Sequence, residues 1–248
     1  FRVMKRLSYY LLLLVLVLVP TLQSCDLDDD DGYSLGNYTI ALGTVKVDAG
    51  NVSFVLDNGE KLWPAATLVP YKNLENGTRI IGNFTLLSDA QNGFDHYVRL
   101  NDYSVILTKN IINLTEENKD SIGDDPVRIT DMWVGGDYLN VEFDMNIPGA
   151  LKHRVNLVKN TTLQYPDDGY IHLEYRYNDM NDVTDYVAHS IVSFSLGDMG
   201  VGHTDKKGLK IRINSAVNGE KVITIDYKDL QTNKSIAALP GKMKERIN

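Results

Sequence analysis

The sequence predicts an all-β protein, a small curled barrel followed by an antiparallel β-sandwich. Three observations lead there. From Tyr38 onward, apolar residues alternate with polar ones in short runs, the period of a strand with one buried face. Gly, Asn, Asp and Pro punctuate those runs at turn positions. The 14 Tyr and the frequent Val, Ile and Thr suit a pleated, half-buried surface. Of the 248 residues 43% are hydrophobic, an ordinary content for a chain that buries a core.

The first element belongs to neither domain. Arg2, Lys5 and Arg6 precede an unbroken apolar run over residues 11–19, the charged-then-apolar order of an export signal. Counted back to Leu7 the apolar run is about 13 residues, short of the roughly 20 that a spanning helix needs. Met4, followed by Lys5-Arg6, fits a translation start better than Phe1 does. Leu22-Gln23-Ser24-Cys25 then resembles the bacterial lipobox, with Leu at −3, a small residue at −1 and the obligatory cysteine. Cleavage before Cys25 and acylation of its thiol would leave a stable anchor, because a mature lipoprotein carries more than one acyl chain. Cys25 is the single cysteine of the chain, so no intramolecular disulfide can form.

Residues 1–24 thus read as a signal peptide and residues 25–37 as an acidic tether. Asp26, Asp28, Asp29, Asp30 and Asp31 form a solvated, self-repelling segment. Directly behind a lipidated cysteine, such acids resemble the surface-export signal of lipoproteins in Bacteroidota-type Gram-negatives. A calcium loop aligned on Gly32 fails, since Leu27 and Tyr38 stand where ligands are required. Removing Arg2, Lys5 and Arg6 with the leader takes the formal net charge from −8 to −11. A chain this acidic is a poor binder of nucleic acid or anionic lipid, both of which need basic patches.

Residues 38–118 read as the barrel. Ile40 and Leu42 alternate, then the parity shifts to Val45 and Val47 beside Gly43, the pattern of a β-bulge. Val52, Phe54 and Leu56 lead into Asp57-Asn58-Gly59-Glu60. A two-residue Asn-Gly loop of type I′ would set Phe54 opposite Trp63, and Pro64 would end that strand. Residues 78–87 hold Ile80, Phe84 and Leu86 in phase. Residues 97–111 change parity across Asn101-Asp102, a turn or a strong bend. About five strands around glycine-marked bends suggest an OB-like barrel. In residues 113–125, Thr115 to Lys119 fit one helical turn and Gly123-Asp124-Asp125-Pro126 is turn chemistry, so the polar boundary falls there.

Residues 125–240 read as the sandwich. Val127, Ile129, Asp131 and Trp133 share one strand face, Gly135-Gly136 makes a turn, and Leu139, Val141, Phe143 and Met145 alternate. Runs at 153–158, 170–177, 190–196 and 209–213 follow, then Ile223, Ile225 and Tyr227. About seven short strands with turns between them are the pattern of an antiparallel sandwich. The tail from Pro240 reads as frayed.

No catalytic constellation emerges. The five histidines stand apart without a cysteine partner or an HxxxH pair, so no zinc site is expected. There is no G-x-S-x-G elbow, and Gly197-Asp198-Met199-Gly200-Val201-Gly202 has the wrong glycine order for a phosphate loop, reading instead as a flexible loop. Asp179, Asp182 and Asp185 could offer oxygen ligands to calcium, although their spacing fits no named loop. Trp63, Trp133 and Tyr138 could form an aromatic surface for a glycan or peptide, with core packing the competing role for both tryptophans. Asp120-Ser121-Ile122 resembles a short O-glycosylation acceptor of exported Bacteroidota proteins. Neither metal nor cofactor is implied.

Taken in order, Cys25 with its Asp run, Phe54-Val55-Leu56-Asp57-Asn58-Gly59-Glu60, Asp125 through Trp133-Val134-Gly135-Gly136-Asp137-Tyr138-Leu139, His153-Arg154-Val155-Asn156-Leu157-Val158 and Ser193-Phe194-Ser195-Leu196 resemble the NigD-like family of lipoproteins. The resemblance implies an N-terminal OB-like domain and a C-terminal β-sandwich. It also implies a link to bacteriocin immunity, the role proposed for the founding member, and brings no catalytic residues. The functional expectation is a non-enzymatic, outer-membrane lipoprotein with a binding or protection role, surface-exposed in preference to periplasm-facing. Its partner would be an envelope protein, peptide or glycan. The alternative is a structural or accessory surface lipoprotein serving glycan use or adhesin assembly.

Overall fold

Strand β1 (Thr39–Asp48) pairs twice. Its first half runs antiparallel to β4 (Arg79–Ser88), and its second half to β2 (Asn51–Leu56). Strand β3 (Lys61–Thr67) is antiparallel to β2 and parallel to β5 (His96–Val105), which returns along β4 and closes the barrel in the order β1-β2-β3-β5-β4. Val45, Val52, Phe54, Leu62, Ile80, Phe84, Val98 and Leu100 fill it. Closure leaves no free sheet edge in this half. The protein is described by a computed structural model over residues 36–232. The leader, Cys25 and the aspartates at 26 and 28–31 lie outside those residues, as does the tail from Pro240.

Three local expectations in the barrel change. Both ladders run through Gly43 without a register shift, so the parity change there marks the exchange of partner and not a bulge. The bulges lie elsewhere. Asn101 is the extra residue of β5, since Asn83 faces Asp102 while Phe84 faces Leu100, and its amide donates to Asn83 Oδ1 at 2.9 Å and to Thr85 Oγ1 at 2.8 Å. Ala65 is the extra residue of β3, which therefore continues past Pro64 to Thr67.

The turn between β2 and β3 is also one residue longer than expected. Leu56 N–H donates to Glu60 O at 2.8 Å, so residues 57–59 form the loop and Phe54 faces Leu62, not Trp63. Gly59 takes positive φ and Asn58 does not, whereas a type I′ turn needs both. The type I′ geometry occurs instead at Asn92 (φ 51°) and Gly93 (φ 83°), between bridged Gln91 and Phe94. A one-residue change in a hairpin turns every following side chain to the opposite face. Trp63 is thereby directed out of the barrel.

The sandwich begins at once after Ile106, whose N–H still donates to Arg79 O of the barrel. Strand β6 (Leu107–Asn110) joins one sheet, in the order β6-β12-β9-β8, and β7 (Ile112–Leu114) joins the other, β14-β13-β11-β10-β7. The remaining strands are β8 (Arg128–Gly135), β9 (Tyr138–Pro148), β10 (Arg154–Asn160), β11 (Ile171–Asn178), β12 (Val183–Ser195), β13 (Gly208–Ser215) and β14 (Gly219–Asp226). Three ladders are parallel, β6 with β12, β7 with β10 and β11 with β13, so the sandwich is mixed and not wholly antiparallel.

The barrel therefore ends near residue 106 and not at 118. The polar composition of 113–125 misled because this stretch is docked, not free. Helix α1 (Lys119–Ile122) buries Ile122 against Leu114 and Val158, and Asp124 binds Arg212 Nη1 at 2.7 Å and Arg176 Nη1 at 3.1 Å. Tyr227, expected on the last strand, opens helix α2 (Tyr227–Thr232) and donates its hydroxyl to Met199 O at 2.5 Å. The glycine-rich segment is ordered as a 3-10 turn, Gly197–Met199, with Met199 and Val201 against the core.

The sandwich core joins Leu139, Val141 and Phe143 of β9 to Leu157, Leu173, Tyr175, Phe194 and Ile211. Tyr175 is 1% exposed, lies between Phe143 and Phe194 at ring distances of 6.0 and 6.1 Å, and its hydroxyl finds no hydrogen-bond partner among the described residues. Burial pushes this phenol well above its ordinary pKa. Tyr175→Phe should raise stability by about 1 kcal/mol, since it removes an unsatisfied buried hydroxyl and leaves the packing. Urea unfolding measures it, and a loss of stability would reveal a buried water serving that hydroxyl.

Candidate functional site

The three aromatic residues expected to share a surface separate into two places. Trp63 lies opposite Tyr97 in the parallel β3–β5 ladder. Its ring meets Phe94 at 5.1 Å, and Phe94 meets Tyr97 edge-on at 6.4 Å. Two devices hold Phe94 there. The Asn92-Gly93 turn reverses the chain, and Asp95 is clamped to β3, accepting Lys61 N–H on its carboxylate at 2.8 Å and donating its own N–H to Lys61 O at 2.9 Å. Asn92 Nδ2 donates to Tyr97 Oη at 3.0 Å. All three rings stand outside the barrel core and keep part of their surface in solvent. In OB barrels, strands 2 and 3 and the loops after strands 1 and 4 form the ligand face. Trp63 on β3 and Phe94 in the β4–β5 loop occupy that position. Such rings offer a flat apolar contact beside short amide and carboxylate groups, the combination that holds a sugar ring or a peptide.

Tyr138 belongs to the joint between barrel and sandwich, and Trp133 stands opposite Asn140 in the adjoining strand. Arg79 of β4 is buried and reaches across the joint. Its Nη1 and Nη2 grip Asp57 Oδ1 and Oδ2 at 2.5 and 2.9 Å, Nη1 also reaches Thr44 Oγ1 at 3.1 Å, and Nη2 reaches Asn140 Oδ1 on β9 at 3.0 Å. Asn140 Nδ2 donates to Asp57 Oδ2 at 2.9 Å, and Ser193 Oγ donates to Asn140 Oδ1 at 2.7 Å. Arg79 Cζ sits 4.4 Å from the centre of the Tyr138 ring, a cation–π contact that completes the cage. Trp133 pairs with Asn140 across β8 and β9. An extra residue, Thr130, puts it on the face opposite Ile129 and not alongside it. These side chains pack the joint, with Arg79 Nε buried in it without a hydrogen-bond partner among the described residues, so it couples the domains instead of receiving a ligand.

The other sequence candidates find structural roles. Asp182 accepts the N–H groups of Ala150 and Leu151, which hold its carboxyl below the usual range, and Asp179 Oδ1 accepts Asn181 N–H at 2.8 Å. Asp185 is exposed on β12, and among the described residues no His, Asp and Glu cluster could hold a metal ion. Ser121 is exposed, on α1 of the sandwich and not in a linker, with its hydroxyl donating to Asn118 O at 2.9 Å.

Sequence reasoning missed the polar cluster on the outer face of the five-stranded sheet. Glu174 is buried there. Burial pushes its pKa up, yet hydrogen bonds from Tyr165 (2.7 Å) and Asn160 (2.9 Å), together with Arg176, hold it below the usual range. The one available signal was Glu174 and Arg176 alternating with Leu173, Tyr175 and Tyr177.

Two family models match the chain. The NigD-like N-terminal OB domain covers residues 42–106, and the NigD-like C-terminal beta sandwich domain covers residues 110–227. The chain belongs to the NigD-like family. Among solved structures, a protein of unknown function from Bacteroides vulgatus ATCC 8482 is 41% identical, covering 77% of this chain and 91% of that one at a TM-score of 0.74. A toxin-related protein from Parabacteroides distasonis ATCC 8503 is 29% identical, covering 79% and 98% at 0.64. A NigD-like immunity protein from Bacteroides caccae ATCC 43185 shares the fold at 16% identity, covering 81% and 96% at 0.55. No curated protein matches. The segments that carried the resemblance, Asp57-Asn58-Gly59 and Gly135-Gly136-Asp137-Tyr138, meet at the joint, where Gly136 N–H donates to Asp57 O at 3.0 Å. In this NigD-like chain those segments serve the attachment of one domain to the other.

Proposed function

We propose that this NigD-like protein is a lipid-anchored protein of the outer membrane that acts by binding, without catalysis, in a protective role such as bacteriocin immunity. The observation that carries the binding is the Trp63–Phe94–Tyr97 cluster, held by a type I′ turn on the ligand face of the OB barrel. Its ligand is an envelope glycan, peptide or protein, since the chain's acidity opposes nucleic acid. The anchoring is supported by Leu22-Gln23-Ser24-Cys25 behind an apolar run, and surface exposure by the aspartates that follow. The relative described as toxin-related accords with a protective role. Among the described residues no helix is long and apolar enough to cross a membrane.

Cys25→Ala should abolish incorporation of labelled palmitate in the native host, and label uptake equal to the parent would sink the anchor. Replacing Asp28 to Asp31 with Ala should protect the protein from external protease without changing the label. On glycan and peptide arrays, Trp63→Ala should lose the bound species while the circular dichroism is kept. Retention of every array signal by that variant would move the binding role off the barrel.

A further inference from the structure

We propose that the end of the sandwich formed by the termini of β9 and β12 is a docking groove for a cationic peptide segment carrying one or two apolar anchor residues. Along β9, Leu139, Val141, Phe143 and Met145 point into the core. Ile147 continues their parity but is 41% exposed. Facing it, β12 slips register between Val183 and Val187, and the slip leaves Tyr186 74% and Val187 66% exposed, with Val183 beside them. Exposed Leu151 joins from the β9–β10 connection, where its N–H and that of Ala150 are bound by Asp182. Soluble chains seldom leave large apolar side chains grouped at one spot unless something covers them.

Val183 and Val187 of these residues line a groove of about 240 Å³, with Val127, Met145 and Tyr177 as the rest of its apolar lining. That is smaller than a pocket for a drug-sized ligand, roughly 300–1,000 Å³, so it suits individual side chains of a longer partner. The charge around it selects the partner. Asp144 and Asp179 line the groove, and exposed Asp185 lies two residues from Val183 on β12; the lining cation Arg128 lies 3.7 Å from Asp144, which also meets His189 Nδ1 at 2.9 Å. In a chain of net charge −8, this rim attracts lysine and arginine and repels acids. The inference rests neither on the lipid anchor nor on the barrel face.

The test uses a fluorescent synthetic peptide of alternating lysine and leucine, read by anisotropy against the purified protein. Saturable binding is expected, weakening with added salt. Val187→Lys should reduce affinity roughly tenfold or more, since it sets a charge against the apolar anchor and repels the peptide's lysines, and Asp185→Lys severalfold. Trp63→Ala should leave this binding unchanged. Tyr186→Ser serves as a second variant should Val187→Lys disturb the fold. The proposal is overturned if the lysine-leucine peptide does not bind, if a glutamate-leucine peptide binds equally, or if neither groove variant changes the affinity. It is also overturned if sedimentation shows a dimer that Val187→Lys dissociates, for the occupant would then be a second copy of the chain.

Discussion

Asp57→Ala should destabilise the protein by about 3–5 kcal/mol, the range for breaking a buried ion pair by removing one partner. The Arg79 side chain is 0% exposed and that of Asp57 16% exposed, so what remains is a guanidinium buried in the joint. Guanidinium groups keep their charge in proteins, so the variant leaves that charge without its carboxylate. Thr44, Asn140 and the Tyr138 ring still touch it, but none carries a compensating charge. The pair also bridges domains, since Asp57 and Arg79 belong to the barrel and Asn140 to the sandwich. Urea unfolding of the variant should therefore separate into two transitions, one for each domain. The double variant Asp57→Leu, Arg79→Leu should be less damaged than Asp57→Ala, because both desolvation penalties vanish together. A shift below about 1 kcal/mol, the scale of an exposed pair, would mean that water reaches the joint.

Gly135→Ala should cost about 1–3 kcal/mol by overpacking the same joint. A Cβ there would stand 2.3 Å from Asp57 Oδ2 and 2.7 Å from its Cβ and Cγ. A carboxylate at the end of a free side chain would swing aside. This one is pinned by Arg79 and Asn140, so the strain passes into the ion pair. In an Asp57→Gly background all the contacted atoms are gone, and the added cost of Gly135→Ala should fall to near zero. A double-mutant cycle by denaturant midpoint measures that coupling. Additive costs would show that the alanine clashes with something other than Asp57.

The aromatic site was legible only in part. Trp63 stood out as one of two tryptophans, but its neighbours depended on the length of a turn. Asn58-Gly59 and Asn92-Gly93 are the same dipeptide, and the type I′ geometry falls on the second. At the first, the loop takes in Asp57, and that single residue turns Trp63 outward and frees the Asp57 carboxylate for Arg79. Trp133 shows the same sensitivity, because the extra residue Thr130 rotates it away from the face of Ile129.

Period-two alternation is written locally, and each strand reports one buried face whatever it pairs with. That is why Val52 to Leu56, Leu139 to Met145 and Leu173 to Tyr177 already indicated strands, and why their number and punctuation indicated a barrel followed by a sandwich. Cys25 and the aspartates behind it are read from the linear sequence alone and lie outside the described residues. Partner choice, register and burial of polar groups are not local. Arg79 finds Asp57 22 residues away and Asn140 61 residues away, and Asn140 finds Asp57 across 83. Leu107 and Ile112, both read as part of the barrel, enter opposite sheets of the sandwich. Only the closed barrel resting on the sandwich buries the Arg79 charge, because burial depends on surfaces brought together from distant parts of the chain.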